Sequence, residues 1–164
     1  MDSSALLAEI PRLRRYARAL LGDRAAADDL VQDTLERAWR QLMQWQVGSD
    51  LRAWLFSIMH NLWVDQLRRP VLPTQAIDGE DFEVPTRPTQ ADEREVKDLE
   101  SALCLLPDEQ REVVLLVALE EMSYTAISAM LGIPAGTVMS RLSRGRERLR
   151  LIMDGQQPRL KVVR

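Results

Sequence analysis

Thr137, Ser140, Arg141, Arg144 and Arg148 recur at i, i+3, i+4, i+7 and i+11 near the C-terminal end. At 3.6 residues per helical turn, that spacing gathers two hydroxyls and three guanidinium groups along one side. Such donors suit phosphate oxygens and guanine edges, so the stripe points to nucleic acid. Val138, Leu142, Gly145 and Leu149 repeat along the side read as opposite, as a packing surface. A merely solvated basic helix is the competing reading, which the one-sided arginines disfavour. Catalysis has no comparable pattern. His60 is the only histidine and Cys104 the only cysteine, in different halves, and no Gly-rich phosphate loop or paired-carboxylate site is evident. That scarcity forbids a disulfide within one chain and leaves no ordinary zinc ligand set, so no metal or other cofactor is expected. Cys104 lies between Leu103 and Leu105, where a small buried residue is expected rather than a reactive thiol.

The arginine stripe needs a scaffold to hold it. Ser123 can cap a short helix over Tyr124 to Met130, Leu131-Gly132-Ile133 makes a tight turn, and Pro134 can open a longer helix. Two helices joined by a short Gly-containing turn form a helix-turn-helix. Upstream, Val96, Leu99, Leu103 and Leu106 mark an amphipathic helix, and Pro107-Asp108-Glu109 gives a proline-and-acid first turn to a helix ending near Leu119. In the N-terminal half, Ala27, Leu30, Val31, Thr34, Leu35, Ala38, Trp39 and Leu42 follow the spacing of one buried helical face. A helix from about Leu51 to Arg69 turns Leu51, Trp54, Leu55, Ile58, Met59 and Leu62 inward, and Pro70 stops it. A helix over Ile10 to Leu21 ends at Gly22 in the position of a glycine cap. No stretch alternates as a strand does, so the fold class is all-α.

Residues 70–92 hold Pro70, Pro73, Pro85 and Pro88, five acids and little periodic apolar content. Such a stretch lacks the apolar surface to offset its ordering entropy and reads as a flexible linker. The expected organisation is therefore two small helical domains, 1–69 and 93–164, joined by residues 70–92. The net charge of -3 conceals strong asymmetry. Twelve acids against four basic residues lie between Ala76 and Glu112, and eight basic residues against two acids lie from Pro134 onward. Local charge is what a phosphate backbone feels within a Debye length. No run of eighteen apolar residues predicts membrane insertion, and the first ten residues lack the pattern of a secretory signal. A reducing cytoplasm is the expected location.

Both halves resemble a known family. Leu106-Pro107, Arg111, Glu112, Tyr124, Ala126, Ile127, Leu131-Gly132, Gly136-Thr137-Val138, Ser140-Arg141 and Arg144-Gly145-Arg146 are similar to the fourth conserved region of the extracytoplasmic-function sigma factors. Asp29-Leu30-Val31-Gln32-Asp33-Thr34 with Ala38-Trp39 resembles the polymerase-binding helix of the second region. Trp54-Leu55, Ile58, Asn61, Asp65 and Arg68-Arg69 resemble its promoter-reading helix. The two motif sets, in this order and separated by such a linker, are far more specific than a helix-turn-helix alone.

The resemblance implies a promoter-specificity factor that binds core RNA polymerase and promoter DNA, with an anti-sigma factor as a further partner. It implies that Asp29, Gln32, Asp33 and Arg37 dock on a coiled coil of the largest polymerase subunit, while Leu30, Val31 and Leu35 form core. The turn Gln46 to Asp50 and the following helix resemble the element that reads the minus-ten region and captures an extruded base. Ser49, Asp50, His60, Asn61, Arg68 and Arg69 are the candidates there. Phe56 and Trp63 are open to either stacking on bases or packing in the core. Thr137, Ser140, Arg141, Arg144 and Arg148 are the minus-thirty-five candidates. Met139 departs from the family, which often has a basic residue there. A linker of about 23 residues reaches at most roughly 75 Å, enough to span two turns of duplex at about 34–36 Å each. Two other readings compete: a free operator-binding regulator, which leaves the Asp29-Gln32-Asp33 face unexplained, and a sigma mimic, which needs no arginine face.

Overall fold

In a computed structural model of the chain, the structure describes residues 3–69 and 90–155. Most of the expected linker, 70–89, lies outside the described residues, while 90–92 already belong to a helix. Among the described residues the secondary structure is wholly helical: α1 (Ser3–Leu21), α2 (Arg24–Arg40), a short 3-10 turn (Leu42–Gln44), α3 (Leu51–Arg68), α4 (Gln90–Cys104), α5 (Asp108–Ala118), α6 (Tyr124–Leu131) and α7 (Ala135–Met153).

Helix α1 begins well before the expected Ile10 and carries Pro11 inside it. A proline there removes one backbone hydrogen bond and crowds the carbonyl four residues back. Burial of Leu6 and Leu13 on either side carries the helix across it. Gly22 ends α1 in the left-handed conformation at φ 68°, its amide donating to the Arg18 carbonyl at 2.9 Å. Asp23 then caps α2 by accepting from the Ala25 amide at 3.1 Å. Helix α2 buries Ala27, Leu30, Val31, Thr34 and Ala38, and the Thr34 hydroxyl is satisfied by the Leu30 carbonyl at 2.7 Å. Leu35 is half-buried against this core. Trp39, expected inward, is 61% exposed. It projects more than a quarter turn from the centre of the buried stripe, and the helix ends at Arg40, so no later turn covers it.

Helix α3 buries Leu55, Phe56, Ile58, Met59 and Trp63. Phe56 meets Tyr16 of α1 edge-on, with ring centroids 5.0 Å apart. Phe56 and Trp63 are thus packing residues, which leaves neither ring free for bases. In the C-terminal half, α5 lies beneath both α6 and α7. Ser123 caps α6 by accepting from the Ala126 amide at 3.1 Å, and Gly132 closes it at φ 67°. Val138, Leu142 and Gly145 of α7 are buried. A Cβ built on Gly145 would lie 2.7 Å from Val114 Cγ2 and 3.3 Å from the Gln110 carbonyl oxygen. Gly145→Val is therefore expected to push α7 off α5 and cost about 1–3 kcal/mol, read as an earlier thermal midpoint, whereas Gly136→Ala, in open space, should leave it unchanged.

The two halves pack on each other: α1 lies against α4 and α5, and α3 lies against α6. Helix α4 is less covered than its periodicity suggests. Leu103 is buried, but Val96 and Leu99 are 55% and 41% exposed. They line an open cavity of about 670 Å³ with Pro11, Leu103, Val114 and Leu149.

Candidate nucleic-acid interface

Helix α7 carries the arginine stripe as expected, but the stripe flanks the buried residues instead of opposing them. Arg141 and Arg148 follow Val138 and Leu142 by angles that place them roughly a quarter turn from the packing seam. Their stems consequently lie against the protein, and both side chains are half-buried. Arg141 reaches Glu109 at the start of α5, at 3.5 Å. Glu109 is itself well exposed, so the pair orients the guanidinium at little energetic cost to its release. Arg144 is exposed and Thr137 half-buried. Ser140, also exposed, donates its hydroxyl to the Thr137 carbonyl at 3.1 Å. Met139 is exposed on the other flank of the packing seam. Arg150 is occupied by Glu147 and Asp154, at 2.7 and 3.2 Å, and presents a satisfied charge.

The minus-ten candidates divide into three environments. Ser49 and Asp50 serve the local fold. Ser49 donates to the Gln46 carbonyl at 2.6 Å, and Asp50 caps α3 by accepting from the Ala53 amide at 3.2 Å. Gly48, at φ 99°, allows the turn between them and the 3-10 segment. Asn61, Arg68 and Arg69 are exposed. His60 is not free: its Nδ1 contacts the Glu112 carboxylate of α5.

On α2, Asp29, Gln32, Asp33 and Arg37 are all exposed, on the side away from Ala27, Leu30, Val31, Thr34 and Ala38. Glu36 and Arg40 pair at 2.5 Å beside them. Such an array of unspent hydrogen-bonding groups on a rigid helix suits docking on a polar protein surface.

Residue patterning missed two buried acids and the role of one arginine. Glu112 and Glu120 are 3% and 4% exposed. Glu120 faces Arg12 and Arg15 at 3.5 and 3.8 Å. Burial pushes its carboxyl above the ordinary range, against the pull of the arginines. Tyr16 is enclosed nearby, and burial reinforced by Glu112 and Glu120 pushes its hydroxyl well above the usual phenol range. Arg111 was legible only as a motif residue. Its guanidinium donates to the carbonyls of Leu103, Leu106 and Leu20 at 2.8 Å each and of Cys104 at 3.2 Å. It thereby satisfies the ends of α4 and α1 together. Only the run Val113 to Leu116 after Glu112 hinted that this acid is buried.

Comparison with known proteins covers both halves. The family described as the Sigma2 domain of PhyR matches residues 6–60, and Sigma-70, region 4 matches residues 97–149. The ECF RNA polymerase sigma factor EcfG of Rhodopseudomonas palustris (strain TIE-1) is 37% identical over 155 residues, covering 93% of this chain and 86% of that protein. Among solved structures, the sigma factor RpoE in complex with the anti-sigma factor NepR, from Bartonella quintana, superposes with a TM-score of 0.74 at 31% identity, covering 93% of this chain and 96% of that one. CnrH in complex with the cytosolic domain of CnrY gives 0.69 at 27% identity, over 94% and 88%.

Proposed function

The chain belongs to the extracytoplasmic-function RNA polymerase sigma factors, and from that premise we propose how its surfaces share the work of promoter-directed initiation. It is a non-catalytic initiation factor that binds core RNA polymerase and directs it to particular promoters, restrained by an anti-sigma factor. Asp29, Gln32, Asp33 and Arg37 dock on the largest polymerase subunit. Asn61, Arg68 and Arg69, with Ser49, Asp50 and His60 around the α3 entrance and face, serve the minus-ten region. Thr137, Ser140, Arg141, Arg144 and Arg148 hold the minus-thirty-five element. Residues 1–69 and 93–164 act as the two modules, with 70–92 between them. No described helix is long and apolar enough to cross a membrane. The proposed work, on polymerase and DNA, belongs to the cytoplasm.

The observation that carries this reading is the coexistence of two polar faces on rigid helices: the exposed face of α2, and the arginine stripe of α7, on which Ser140 and Arg144 are exposed and Thr137, Arg141 and Arg148 half-buried. A free operator-binding regulator uses only the second, and a sigma mimic only the first. Gln32→Ala with Asp33→Ala is expected to weaken binding to core polymerase by about tenfold, a loss of about 1.4 kcal/mol, without changing thermal stability. Both side chains are solvated, so their removal leaves no buried group unpaired. Competition against another sigma factor for core polymerase measures it; undiminished competition rejects the α2 docking face.

A further inference from the structure

Glu120 is an unmet acceptor. It is 4% exposed, and neither carboxylate oxygen accepts a hydrogen bond from the described residues. Arg12 and Arg15 approach to 3.5 and 3.8 Å, which balances its charge but leaves its lone pairs without a well-placed donor. A buried acceptor left in that condition costs free energy that a ligand's donors can recover. The residue lies on the wall of an open cavity of about 500 Å³ at the seam between the halves, lined also by Arg12 and Arg15 of α1 and Arg52 of α3. That volume is in the range of small-molecule sites. The turn that places Glu120 there has Glu121 in the left-handed region at φ 50°, and the Met122 amide closes it on the Leu116 carbonyl at 3.2 Å.

The chemistry of the lining narrows the ligand. Arg52 spends its Nε on Glu9 at 3.2 Å, and Arg15 spends one terminal nitrogen on the Leu119 carbonyl at 3.1 Å. A guanidinium carries five N–H bonds, so both keep donors in reserve for a phosphate. Glu121 also lines the cavity, and with Glu9 and Glu120 it balances the three arginines. A bare anion therefore gains little. A ligand that offers an anionic group to the arginines and donors to Glu120 gains on both counts. Ala118 and Leu119 supply the apolar lining, and no aromatic ring stands among the described lining residues to stack a base. Hydroxyl groups are the fitting donors, as where an acidic side chain holds a ribose hydroxyl. We propose that this cavity binds a small phosphorylated sugar, its phosphate held by Arg12, Arg15 and Arg52 and two neighbouring hydroxyls donating to the Glu120 carboxylate. The Arg12 and Arg15 side chains are 37% and 57% exposed, so their tips can turn from Glu120 to the phosphate and admit the hydroxyls.

Isothermal titration calorimetry of the full chain, without polymerase or DNA, tests the site independently of the assigned function. Ribose 5-phosphate is the probe, with inorganic phosphate and ribose as its two halves. The expected Kd for ribose 5-phosphate is about 0.1 mM, at least about tenfold tighter than for either half. Arg52→Ala should weaken that binding about fivefold, and its surface pair with Glu9 contributes too little for the fold to suffer. Glu120→Gln keeps the size of the side chain but leaves one acceptor oxygen in place of two. It should bring ribose 5-phosphate to within about twofold of inorganic phosphate. Should Glu120→Gln not fold, Arg52→Ala and the comparison among the three probes decide. No binding of ribose 5-phosphate up to about 10 mM, binding no tighter than that of inorganic phosphate, or binding that Arg52→Ala leaves unchanged overturns the proposal.

Discussion

Replacing Arg141 and Arg144 together by alanine is expected to lower transcription from a native promoter by about a hundredfold, while affinity for core polymerase stays the same. Each guanidinium presented to a base edge or phosphate is worth about 1–3 kcal/mol, and two such losses come to about 2.7 kcal/mol, or two decades. The loss is not a folding effect. Arg144 is exposed, and the Arg141 partner Glu109 is well exposed at 3.5 Å, so nothing buried is left unpaired. Arg146→Ala, on the other flank of α7, serves as the control and should change transcription less than about twofold. Runoff transcription alongside a polymerase-binding assay separates the two functions. Normal transcription by the double variant would show that α7 does not read the minus-thirty-five element through this stripe.

Arg111→Met is expected to be the most damaging single change to stability. Four backbone carbonyls lose their donor at once. Three of the four carbonyls, Leu103, Cys104 and Leu106, lie in the C-terminal half and one, Leu20, in the N-terminal half, so the loss is felt in the C-terminal fold and across the seam. Hydrogen bonds from a charged group are worth about 1.5–3 kcal/mol each; because the carbonyls can partly rehydrate, a net cost of about 3–5 kcal/mol is expected. For a chain of this length, that is a fall of roughly 10 °C in the thermal midpoint. Arg111→Lys should recover little of it, because one ammonium cannot span carbonyls fanned around a planar guanidinium. Differential scanning calorimetry measures both variants. A fall of under about 2 °C would mean that the guanidinium contacts are incidental.

Local chemistry made much of this fold legible beforehand. Ser123, Gly132 and Pro134 act over three or four residues each, and all three sit where a cap, a tight turn and a helix opening were expected. The buried stripe of α2 was readable for the same reason, as far as Ala38. Periodicity cannot tell which part of an apolar stripe meets a neighbour, and it therefore misplaced Trp39, Val96 and Leu99. It also set the arginine stripe opposite the packing residues, whereas 100° per residue puts it on their flank. The seam was least legible. Glu112 and His60 are 52 positions apart, and Arg111 and Leu20 are 91 apart. No local signal distinguishes an acid on a solvated face from one that will meet a cation from another helix.

The central claim, promoter-directed initiation, is tested most directly by multi-round transcription on fragmented genomic DNA, using bacterial core polymerase with and without the purified chain. The account predicts discrete new transcripts that appear only with the chain and disappear with Arg141→Ala and Arg144→Ala. A chain that neither binds core polymerase nor yields any such transcript would contradict it.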